Sequence, residues 1–98
     1  MEFNHFLTSY MPDPSIGSKT HFQNMIDQAI LAEKLGYKTV SIPEHHLVNL
    51  LMMPSPLQMA VKIASLTKKI KITTGVAVLP LHDMRTYAGE VATADFLT

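Results

Sequence analysis

The feature that most constrains this chain is an alternation written three times within 98 residues. A short run suited to a β-strand is followed each time by a segment with helical periodicity. Met1–Ser9 reads as the first strand, with Phe3, His5 and Leu7 on one side and Asn4, Phe6 and Thr8 on the other. Lys38–Pro43 reads as the second and Ile70–Leu79 as the third. Strand, helix, strand, helix, strand, helix implies a parallel sheet built by right-handed crossovers. Such a sheet needs helices on both faces or closure into a barrel. A closed (β/α)8 barrel of the TIM type takes ~250 residues. The expectation is therefore an α/β fold in which residues 1–98 form one domain portion, the first three βα units of a larger barrel.

Local signals place the helices. Tyr10–Ser18, with Pro12, Pro14 and Gly17, reads as a loop. Thr20 with Gln23 fits a capping box, Phe22, Met25, Ile26, Ala29 and Ile30 follow at helical spacing, and Gly36 is the expected stop. Ser55, Pro56 and Gln58 suggest a second capped start, with Ala60, Ile63, Ala64 and Thr67 on one face and Lys68 and Lys69 at the helix end. Asp83 is placed to cap a last helix running to Leu97, with Tyr87, Ala88, Val91 and Ala92 on its buried side.

Composition narrows the function classes. Eight Lys+Arg balance eight Asp+Glu, so the basic footprint of a nucleic-acid binder is missing. Cysteine is absent, which removes disulfides, thiolate zinc sites and cysteine nucleophiles. The most apolar stretch, Ile70–Leu81, is interrupted by Lys71, Thr73, Thr74 and Pro80 and does not read as a membrane span. The start of the chain does not read as a signal peptide, and the expectation is a cytosolic protein.

Three features could carry chemistry. Glu44-His45-His46 sits at the C-terminal end of the second strand, the end that bears active sites in (β/α) barrels. Side chains alternate along extended backbone, so Glu44 and His46 should point one way and His45 the other. Three adjacent residues arranged so do not grip one metal, and no metal site is expected. Simple hydrogen-bonding of the rings to backbone competes evenly with a catalytic histidine. Thr73-Thr74-Gly75-Val76 places a glycine in a strand, which marks either a kink or a close approach by something flat. The third strand is taken as central and buried. The apolar loop Leu47–Met53 is expected to line a pocket or to be covered. His82, a lone loop histidine, carries little weight.

Taken together, Ala32-Glu33-Lys34-Leu35-Gly36-Tyr37, Pro43-Glu44-His45-His46, Thr74-Gly75-Val76-Ala77-Val78-Leu79-Pro80 and the tail from Arg85 resemble the bacterial luciferase-like monooxygenase family. The resemblance runs in register along the whole chain. It implies a (β/α) barrel that binds reduced FMN, or in one branch a deazaflavin, and uses dioxygen to oxidise a small organic substrate. It makes His45 the active-site histidine and puts Glu44 beside it at the flavin. It matches Gly75-Val76 to a non-proline cis peptide that lies against the flavin ring. It also implies a homo-oligomer joined through the second and third helices. Met84 replaces the proline usual before Arg85, and the phosphate-binding residues belong to later units. A non-catalytic remnant that folds only by self-association is the reading from a different class.

Overall fold

The computed structural model describes residues 1–98. Three parallel strands, β1 (Asn4–Phe6), β2 (Thr39–Ile42) and β3 (Lys71–Thr74), form one sheet in the order β1-β2-β3. The register pairs His5 with Val40 and Val40 with Ile72. Helices α1 (Ser18–Lys34), α2 (Pro56–Ala64) and α3 (Met84–Leu97) alternate with the strands. No helix is long and apolar enough to cross a membrane.

The period-2 pattern decides which way the sheet faces. Leu7, Val40 and Ile42 are fully buried and pack with Met25, Ile26, Ala29 and Ala32 of α1 and Met59, Ala60 and Ile63 of α2. The opposite face carries Asn4, Phe6, Ser41 and Thr73. Ser41 Oγ lies 2.8 Å from Thr73 Oγ1 and donates to Asn4 Oδ1 at 3.2 Å. One face is thus closed by helices, and the other presents hydroxyls, an amide and the half-exposed Phe6 ring.

The helix boundaries divide into those realised and those displaced. Gly36, at φ 87°, ends α1: Tyr37 N–H donates to Ala32 O and Gly36 N–H to Glu33 O, the paired bonds of a Schellman stop. Asp83 caps α3 by accepting from Arg85 N–H at 3.0 Å. Thr20 is not a cap. A single 3-10 turn over Pro14–Ile16 feeds α1 through Gly17, at φ 76°, so the helix is under way by Ser18. The Ser55 side chain makes no capping bond either; Pro56 alone marks that start. Lys68 and Lys69 lie beyond the end of α2. Their amides, with that of Ile70, donate to Glu33 Oε1 at 2.8, 2.6 and 3.0 Å, tying the entry of β3 to the end of α1.

Two further expectations change. β3 stops at Thr74 instead of reaching Leu79, because after Gly75 N–H bonds Ile42 O the backbone donors leave the ladder. It is also an edge strand, paired with β2 alone, and Lys71, Thr73 and Thr74 are exposed. Successive crossovers stepping in one direction put β2 at the centre. On α3 the buried residues are Tyr87 and Ala94, while Ala88, Val91 and Ala92 are exposed. The helix rests against α2, and most of its residues are exposed.

Candidate active site

In a parallel sheet all C-terminal strand ends fall on one edge, and every candidate residue lies there. Alternation beyond β2 separates the adjacent histidines as expected. Glu44 and His46 turn to one side. His45 turns to the other, where it helps line a hollow of about 590 Å³ with Met11, Ser18, Leu47, Met52 and Pro54. His45 N–H donates to Met53 O at 2.8 Å, and Met52 N–H and Met11 N–H bond Ser9 O and Leu50 O. Those bonds hold the apolar loop over the hollow. Met53 is buried beneath it, while Leu47, at φ 56°, stands fully exposed at the tip.

The Glu44 side chain has no exposed surface at all. His46 Nε2 lies 2.6 Å from its Oε1, His82 Nε2 lies 2.7 Å from the same oxygen, and Val78 N–H donates to Oε2 at 2.7 Å. Burial pushes the carboxyl up, but these hydrogen bonds outweigh it and hold Glu44 below the ordinary carboxylate range. His82 stacks on Tyr87, ring centroids 4.1 Å apart and planes 25° from parallel. Burial, then the negative charges of Glu44 and Glu90, raise the Tyr87 hydroxyl above its usual value.

The resemblance puts Glu44 beside His45 at the flavin; in the structure its carboxylate oxygens meet His46, His82 and the Val78 amide. His82, given little weight from sequence, is one of its partners across 38 positions. A lone histidine in a loop carries no local signal of that pairing. Only the placement of β3 beside β2 brings it there.

Gly75 and Val76 occupy a third position. The peptide bond between them is cis, as the resemblance implied. A Cβ at Gly75 would sit 3.3 Å from Ser41 Cβ and 3.5 Å from Phe6 Cε2. The glycine therefore leaves bare backbone on the sheet face that carries Ser41 and Phe6. Val76 is largely exposed beside it. His45, the Glu44 cluster and Gly75 share the strand-end edge but line different surfaces of it.

Four carboxylates contribute to acid stability with the same sign, Asp13 and Asp83 among them. Glu44 and Glu33, the latter through its three backbone bonds, are both lowered on folding. Their contribution is complete above the unfolded value of ~4.3 and is lost as pH falls through the lower folded values. Melting temperature followed from pH 7 to pH 3 should therefore hold near-level down to about pH 5 and drop below about pH 4. Glu44→Gln should shallow that drop; an unchanged slope would remove Glu44 from it.

Comparison with known proteins gives a consistent picture. The family model described as luciferase-like monooxygenase matches residues 1–98. The protein y4vJ of Sinorhizobium fredii, which is uncharacterised, is 37% identical over 95 residues, covering 97% of this chain and 27% of its own. The oxygenase component of a flavin-dependent trigonelline monooxygenase from Acinetobacter baylyi is 26% identical over 98 residues, 100% of this chain and 27% of that protein. Among solved structures, the oxygenating constituent of 3,6-diketocamphane monooxygenase from Pseudomonas putida, determined with FMN, superposes with a TM-score of 0.91 at 24% identity, over 99% of this chain and 26% of the other. The chain thus spans about a quarter of the length of these relatives. The strand order and helix placement are those of the first three βα units of a TIM-type barrel. With the match extending from the first residue to the last, the chain belongs to the luciferase-like monooxygenase family.

Proposed function

We propose that this chain forms one side of the active site of a flavin-dependent monooxygenase that takes reduced FMN, dioxygen and a small organic substrate. The observation that carries the reading is the bare backbone at Gly75, on the open sheet face beside Ser41 and Phe6, at the strand ends where barrel enzymes do their chemistry. A planar ring lies against backbone only where no Cβ intervenes, and a Cβ here would already crowd Ser41. The residues present fit a flat cofactor. The flavin named for the Acinetobacter relative supports the same class.

When bound, reduced flavin supplies the two electrons that let one oxygen atom enter the substrate while the other leaves as water. The chain's own residues do the rest. Gly75 and Val76 offer the ring a surface, and the apolar loop Leu47–Met53 lines the separate hollow that His45 also lines. His45, an imidazole with both a donor and an acceptor nitrogen, serves proton transfer at that hollow.

Quenching of flavin fluorescence tests the reading. In the complete enzyme FMN should bind, and Gly75→Val should weaken it at least ~10-fold, the equivalent of about 1.4 kcal/mol. Equal affinity in the variant would contradict the placement. Deazaflavin titrated in parallel decides between the cofactors: the reading requires FMN to bind the tighter.

Association with a second copy is part of the proposal. Val91, Phe96 and Leu97 of α3 are exposed, leaving apolar surface for a partner on one of the helices through which the resemblance implies a homo-oligomer. Sedimentation equilibrium of the 98-residue chain should give a dimer or larger; a cooperative, compact monomer would contradict it.

A further inference from the structure

We propose that Glu44 is a positioning residue: its carboxylate fixes His46 and His82 as Nε2–H tautomers and pins the backbone after Gly75 to the end of β2. The functional consequence, that the ring-facing backbone is held from behind by Glu44, rests on the reading above.

The argument is one of donors and acceptors. An ionised carboxylate only accepts. Both imidazoles meet the same oxygen, Oε1, through Nε2, at 2.6 and 2.7 Å. Two nitrogens facing one acceptor oxygen must each carry a hydrogen, so in the neutral rings Nδ1 is left as the acceptor. The other oxygen, Oε2, takes Val78 N–H at 2.7 Å, three residues beyond Gly75. One side chain with no exposed surface therefore holds three separate parts of the chain: its own loop at His46, the segment leaving β3, and His82 ahead of α3. The stack of His82 on Tyr87 carries the tie into the first turns of α3.

Glutamine cannot reproduce this. It has the same shape but one acceptor oxygen and one NH2. If its oxygen faces the histidines, its NH2 meets Val78 N–H, donor against donor. If its oxygen faces Val78, its NH2 meets the two Nε2 atoms, and those rings must move their hydrogens to Nδ1. Glu44→Gln therefore separates the role of the acceptor pair from the role of side-chain volume.

The test uses the full chain labelled with 15N-histidine, with ring tautomers read from long-range proton–nitrogen correlations in alkaline buffer, where imidazole is neutral. Both His46 and His82 should be Nε2–H in the unsubstituted protein. In Glu44→Gln, either both rings should shift to Nδ1–H or the Val78 amide should exchange with solvent at least ~10-fold faster, the loss of about one hydrogen bond. An Nδ1–H tautomer at either ring of the unsubstituted protein would overturn the proposal, whether or not the variant folds. So would a folded Glu44→Gln that changes neither the tautomers nor the Val78 exchange. None of these readings involves flavin. A protein with the stated tautomers that fails to bind FMN would support the role of Glu44 and overturn the function proposed above.

Discussion

His45→Ala in the complete enzyme should lower turnover by ~10²-fold or more, the scale on which removal of a positioned general acid or base acts. The loss should fall on kcat, with flavin affinity little changed, because His45 lines the hollow under the apolar loop while the ring-facing backbone at Gly75 lies on a different surface. The fold should survive: His45 is half-buried, and its backbone bond to Met53 O is kept by any residue that has an N–H. Steady-state dioxygen uptake with reduced FMN and substrate measures the effect. Full turnover by the variant would take His45 out of the chemistry.

Glu44→Leu should have the largest effect on stability. Leucine fits the buried volume but leaves Val78 N–H and two imidazole N–H groups facing hydrocarbon. Breaking a buried, charge-assisted cluster from one side costs about 3 kcal/mol or more, because its partners stay behind unpaired. In a domain near this size each kcal/mol moves Tm by roughly 4–8 °C, so a fall of more than about 10 °C is expected. Thermal melting checks it; a shift of only a degree or two would mean the cluster reorganises onto water. His46→Ala, which removes one donor and leaves the carboxylate two others, should cost less.

Glu44 and His45, neighbours in sequence, turn to opposite sides, and that difference is legible in the sequence. Alternation along extended backbone separates Glu44 and His46 from His45 whatever the rest of the fold does. The helical spacing of Met25, Ile26 and Ala29, Pro56 at a helix start, Gly36 as a stop and Asp83 as a cap are likewise local, and each appears where the residues put it. What could not be read depends on distant partners. His82 is drawn to Glu44 by strand pairing between β2 and β3. The end of β3 is set by Val78 giving its amide to a side chain instead of to a neighbouring strand. The sides of α3 depend on what the helix rests on, so Ala88, Val91 and Ala92, apolar at helical spacing, are exposed while Tyr87 and Ala94 are buried. Thr20 with Gln23 misled for a related reason: Gly17 had already turned the chain into the helix, and Gln23 bonds Asp27 instead.

The central claim is that the bare backbone at Gly75–Val76 meets the flavin ring. A crystal structure of the complete enzyme with FMN tests it most directly. The account predicts the isoalloxazine ring in van der Waals contact with the Gly75–Val76 backbone, on the sheet face that carries Phe6 and Ser41. A ring bound elsewhere in the barrel, with Gly75 in contact only with protein or solvent, would contradict it.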